Sequence, residues 1–174
     1  MIISCATRGD ETRLAVLLAS LDRNVASVFR QAAATRFEQE LYREIDAHGY
    51  LSKEQIGELF THHMATYMGP RIDLADGADV GWIHWGHFRM GFYNYGYTFA
   101  QLVSIALQER VNADRTYIVE VERLLETGSS SPTSVLLDSM GLNVSDGSVW
   151  NASLDKIQRQ LNEATELAAA LGKI

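Results

Sequence analysis

A chain of 174 residues, 47% of them hydrophobic and 21% charged, is long enough for one domain (1–174) with its own core and needs no covalent staple. Its net charge of −7, with no block of like charge, excludes the basic face of a nucleic-acid binder and a polybasic membrane contact. No stretch is apolar and long enough for a membrane span or a signal peptide, and the single Cys5 has no internal disulfide partner, so a cytoplasmic protein is expected.

From Asp10 to Ala47 the apolar residues Leu14, Leu18, Leu21, Val25, Val28, Ala32, Phe37, Leu41 and Ile45 follow in steps of about three and four. That spacing predicts one long helix closed by Gly49. Ser52 with Gln55 forms a capping-box pattern, with Leu51 and Ile56 placed as a hydrophobic staple. The helix it opens carries Ile56, Leu59, Phe60 and Tyr67 and ends near Gly69-Pro70. Residues 69–91 are rich in Gly, Asp and aromatics and read as a long structured loop, the kind that carries function.

A third helix is expected from about Phe92 to Val111, burying Phe99, Leu102, Val103 and Leu107. Asp114 caps a fourth, which reaches Glu126 before Gly128. Ser131 and Pro132 start a short helix that stops at Gly141. After a loop at 142–151 the last helix places Leu154, Ile157, Leu161, Ala164, Ala168 and Leu171 on one side. The fold expected is all-α, a bundle of about five to six helices.

Most candidate chemistry has a plainer explanation. His84 and His87 are three apart and His62 and His63 adjacent, but catalytic zinc needs three protein ligands, and neither HExxH nor CxxC occurs. Asp73, Asp76 and Asp79 lack the terminal Glu of a calcium loop and read as a solvated turn. The serines at 129–134 have no nucleophile-elbow context, and Cys5 has no neighbouring base.

The stretch GHFRMGFYNYGYTFA, residues 86–100, is different. Tyr93, Tyr95 and Tyr97 alternate, which suits a strand; Gly86, Gly91 and Gly96 suit a loop entering a helix. Packing accounts for Phe88, Phe92 and Phe99. His87 beside several phenols is also what an enzyme aims at a developing oxyanion, and both readings stand.

Four segments resemble, in order, the C-terminal part of the oligoendopeptidase F family, thimet-oligopeptidase-like zinc metallopeptidases that cleave short peptides. VFRQAAATRFEQELYREI is similar to the family's VFRQ…FE…I helix, and YMGP to its YYGP turn. GHFRMGFYNYGYTFA resembles its PHFYxxFYxYxYATG stretch, and LLETGSSSPTSVLLDSMGLNV its closing SGGSxxPxxLL segment. The resemblance implies a helical catalytic-domain fold in which 69–91 forms part of a cleft. It assigns His87 and, as the best match among three tyrosines, Tyr97 as catalytic, binding substrate and stabilising the tetrahedral intermediate, with Tyr93 and Tyr95 as the alternatives for that tyrosine. Tyr93, Tyr95 and Gly91 fall on the substrate side.

The same resemblance places the HExxH helix and a third, Glu ligand before this region, so zinc belongs to the family but no zinc ligands are expected in this chain. Gly86 replaces the family's Pro, and Thr98-Phe99-Ala100 its ATG. Three readings follow. The chain is part of a zinc oligopeptidase, inactive until a complementary polypeptide carrying HExxH joins it. Or it is a noncatalytic peptide-binding or assembly module descended from one. Or it is an independent metalloprotein using His62, His63, His84 and His87. Apolar surface cut from a larger enzyme also predicts self-association.

Overall fold

The structure is a computed structural model that describes residues 9–174, so Cys5 lies outside the described residues. Every regular element among them is helical, which gives the all-α class expected. Two compact units are present: residues 24–100, and Gln101–Ile174 with the described residues up to Arg23.

Helix α1 (Asp10–Asn24) passes through one π turn (Val25–Phe29) into α2 (Arg30–His48). The helical run is the one expected, but the π turn adds a residue to one revolution and rotates the following face. From the π turn onward the buried apolar residues of this run are Val28, Ala33, Ala34 and Phe37, while Leu18, Val25 and Ile45, expected on the stripe, are exposed. Gly49 ends α2 in the left-handed region at φ 74°, its N–H donating to Ile45 O at 2.7 Å.

Helix α3 (Lys53–Met68) starts at the predicted capping box. Ser52 Oγ accepts from the Gln55 N–H at 3.2 Å, and Gln55 Oε1 accepts from the Ser52 N–H at 2.8 Å. It packs on α2 around Ala33, Ala34, Phe37, Phe60 and Met64. Residues 69–91, expected as loop, contain a 3-10 turn (Ala78–Val80), the single turn α4 (Gly81–His84) and another 3-10 turn (Gly86–Arg89). Such turns are too short to impose a period on the sequence.

This segment is nailed down by its aromatics. Phe88 meets Phe37 edge-to-face at 5.1 Å, and Trp85 meets Phe60 at 6.3 Å. The Arg30 guanidinium sits 5.4 Å from the Trp85 ring centroid. Close approach needs Gly57: a Cβ there would lie 3.0 Å from the Asp79 carbonyl oxygen.

Helix α5 (Tyr95–Ala113) begins after Asn94, not at Phe92, and no strand forms at the alternating tyrosines. In the other unit Asp114 caps a 3-10 turn (Arg115–Tyr117) that leads into α6 (Ile118–Thr127). Pro132, not Ser131, takes the N-cap position of α7 (Thr133–Ser139). Helix α8 (Ser148–Ala170) starts inside the expected loop, because Asp146 Oδ1 accepts from the Ser148 N–H at 2.9 Å just after Gly147 turns at φ 78°. Leu102, Val103 and Ile105 of α5 are buried, as are Val149, Ile157 and Ala164 of α8. Buried Ser153 on α8 donates to Leu102 O at 2.9 Å. Leu154 and Leu161, expected on the buried side of α8, are exposed.

Candidate functional site: a His–Tyr group held by a buried glutamate

The 24–100 unit gathers three of the predicted residues. His87 lies on the 3-10 turn whose next residue, Phe88, is anchored in the aromatic core, so its ring is carried by a fixed backbone. Tyr97 stands in the first turn of α5, and Tyr93 just before it. The His87 ring is 5.1 Å from Tyr97 and 5.2 Å from Tyr93, and the two tyrosine rings are 5.6 Å apart. Tyr97 Oη and His87 Nε2 are 3.2 Å apart, within hydrogen-bond reach, with the imidazole tautomer deciding which atom donates. The other ring nitrogen, Nδ1, is buried with no hydrogen-bond partner among the described residues.

Partial desolvation of the exposed Tyr97 ring, and then the neighbouring Tyr93 phenol, push its hydroxyl above the ordinary pKa of 10.0. At neutral pH Tyr97 is therefore a protonated O–H donor. All three tyrosines are exposed, Tyr95 takes no part in these ring contacts, and Gly91 contributes backbone conformation.

The tyrosines reach this arrangement through an unusual turn. Gly91 and Phe92 adopt φ 52° and 54° in succession, and Phe92 is the single non-glycine residue at positive φ among the described residues. A side-chain-bearing residue there costs about 1–3 kcal/mol. The Phe92 N–H donates to Glu38 Oε1 at 2.6 Å, and Asn94 Nδ2 faces Glu38 Oε2 at 3.5 Å. Both polar side chains are buried, Glu38 at 1% exposure and Asn94 at 0%. One turn along α2, the Tyr42 ring lies 5.1 Å from the Phe92 ring, so Phe92 packs as expected, but as an exposed surface ring. Thr98 Oγ1 donates to Val28 O at 3.2 Å, fastening the start of α5 to the π turn.

Glu38, Asn94 and Tyr42 were not among the predicted site residues. A signal existed for Glu38: it occupies an apolar-stripe position, four after Ala34 and three before Leu41, where a carboxylate needs partners. Nothing local points to those partners, which lie 54 and 56 residues away.

The other three candidate histidines take no part in the ring contacts of this group. His63 Nε2 lies 2.5 Å from Glu40 Oε2, His62 packs against the His63 ring, and His84 is exposed on α4. Zinc, which the resemblance implies for the family, meets no fitting donor set: among the described residues no three His, Cys, Asp or Glu side chains come together to hold a metal ion.

The chain belongs to peptidase family M3, whose sequence profile matches residues 5–155. Within that class its relatives are oligoendopeptidases F. The plasmid oligoendopeptidase F of Lactococcus lactis subsp. cremoris is 25% identical over 166 residues, covering 92% of this chain and 27% of the relative. The chromosomal oligoendopeptidase F of the same organism is 26% identical over 160 residues, covering 91% and 26%. The crystal structure of oligoendopeptidase-F from Enterococcus faecium matches with a TM-score of 0.86 at 20% identity, over 95% of this chain and 32% of that one; this likeness shows the fold. The chain thus spans about a quarter of the length of the curated relatives it matches.

Proposed function

We propose that this chain supplies the peptide-binding and oxyanion-stabilising side of a peptide-hydrolysing cleft, as the C-terminal part of a zinc oligoendopeptidase acting on short peptides in the cytoplasm. The observation that carries this reading is the 3.2 Å His87–Tyr97 pair, flanked by Tyr93, in a chain of peptidase family M3.

The chemistry follows from the donors. Tyr97, held protonated, offers its O–H to the scissile carbonyl oxygen as that oxygen gains negative charge. His87, as its Nε2–H tautomer, donates to Tyr97 Oη and so leaves the phenol proton free for the substrate, and Tyr93 walls the pair on one side. Exposed Tyr95 and the Gly91 backbone meet the rest of the peptide. Fixed donors gain most where water is excluded, so the pair contributes fully only once the opposite wall is present. Water activation is outside this donor set. It falls to the HExxH side of the cleft, and the residues of this chain by themselves are not expected to hydrolyse peptides.

The test is cleavage of a mixed quenched-fluorescent peptide library by the purified chain, with added zinc and with chelator. No turnover in either condition is expected. Chelator-sensitive turnover that His87→Ala abolishes would mean the chain builds its own metal site, and the reading would fall.

A further inference from the structure

We infer that Glu38 is the positioning residue of the His87–Tyr93–Tyr97 group, and that it acts through its acceptor oxygens, not its charge. A buried carboxylate is tolerated only when its oxygens are satisfied. Glu38 has no ion pair among the described residues; its bonds go to the Phe92 N–H and the Asn94 amide. These are the two residues on either side of Tyr93, immediately after the left-handed Gly91–Phe92 turn.

That turn decides where the tyrosines go. Once Phe92 is pinned, Tyr93 O accepts from the Gly96 N–H at 3.2 Å and Asn94 O from the Tyr97 N–H at 3.2 Å, which starts α5. Tyr97 is thereby presented to His87, whose own backbone is anchored separately through Phe88. Removing the Glu38 acceptors frees the Phe92 N–H, lets the left-handed pair relax, and carries Tyr93 and Tyr97 away from a stationary His87.

An amide can do the same work. The Oδ1 of Asn94 is buried without a partner among the described residues. If Glu38 becomes Gln, its carbonyl oxygen still accepts from Phe92, and a flipped Asn94 presents Oδ1 to the new NH2 group.

The experiment uses the full chain with labelled aromatic rings and compares wild type, Glu38→Leu and Glu38→Gln by NMR, with circular dichroism as the folding control. The wild type is expected to show a cross-peak between the His87 and Tyr97 rings. Glu38→Leu, folded but without acceptors, is expected to lose it, and Glu38→Gln to keep it. A folded Glu38→Leu that keeps the cross-peak overturns the proposal. If Glu38→Leu does not fold, Glu38→Gln decides: retention supports the acceptor role and loss overturns it.

The consequence for ligands rests on the proposed function. Affinity for short peptides should fall about tenfold or more in Glu38→Leu and be retained in Glu38→Gln. Absence of peptide binding in the wild type would sink the functional reading alone, because the ring cross-peaks still judge Glu38.

Discussion

The Tyr97 hydroxyl lies 3.2 Å from Nε2 of His87, although the two residues sit on different elements, a 3-10 turn and the start of a long helix. Neither element places the pair alone. His87 follows the aromatic core through Phe88, and Tyr97 follows the Glu38-held turn.

Removing only the hydroxyl tests what it does. In a complex with a polypeptide carrying HExxH, Tyr97→Phe is expected to lower kcat about 100-fold with little change in KM, the pattern for a donor used mainly in the transition state. Steady-state kinetics on one fluorescent peptide decides it. A rise in KM with kcat unchanged would make Tyr97 a ground-state binding residue instead.

Tyr97 also predicts an alkaline effect. Its pKa is raised above 10.0 in the folded chain, chiefly by partial desolvation and then by Tyr93, so folding favours the protonated phenol. That contribution is fully present below pH 10.0 and is lost as pH rises through the higher folded value. Urea unfolding across this alkaline range should show a steeper loss of stability in wild type than in Tyr97→Phe. Tyrosinate absorbance should lose part of its high-pH limb in the variant.

Gly57 and Gly86 make a contrasting pair. A Cβ on Gly57 meets the Asp79 carbonyl at 3.0 Å, within the packed contact between α3 and the 3-10 turn. Gly57→Ala should therefore cost about 1–3 kcal/mol in urea unfolding. Nothing lies within 4 Å of a Cβ on Gly86, and Gly86→Ala should stay within about 0.5 kcal/mol of wild type.

Ser52 offers an independent check on α3. Its hydroxyl and the Gln55 side chain exchange two bonds at the helix start, and Ser52→Ala should cost about 1 kcal/mol by the same measurement.

Helix ends were the most legible feature of the sequence, because caps and left-handed glycines are local: Ser52 with Gln55, Gly49 and Asp114 all act where expected. Apolar spacing identified the helices but misjudged burial at Val25, Ile45, Leu154 and Leu161, since a single π turn changes which face points inward and the stripe does not reveal what covers it. His87, Tyr93 and Tyr97 were marked by their chemistry and by the resemblance. Glu38 falls on the Glu of the family's FE pattern, but that pattern assigns it no role, because the role depends on a contact with Phe92 that no short window contains. The short turns between Ala78 and Arg89 were missed for a different reason: they are held by Trp82, Trp85 and Phe88 packing on the core, with no helical periodicity of their own.

The most direct measurement is an NMR titration of the aromatic-labelled chain with an unlabelled mixture of short peptides. The account predicts saturable shifts at His87, Tyr93 and Tyr97, with smaller shifts at His62 and His63, and loss of the response in His87→Ala. Saturable binding that shifts other rings and leaves His87 and Tyr97 unmoved, or no binding at all, would contradict it.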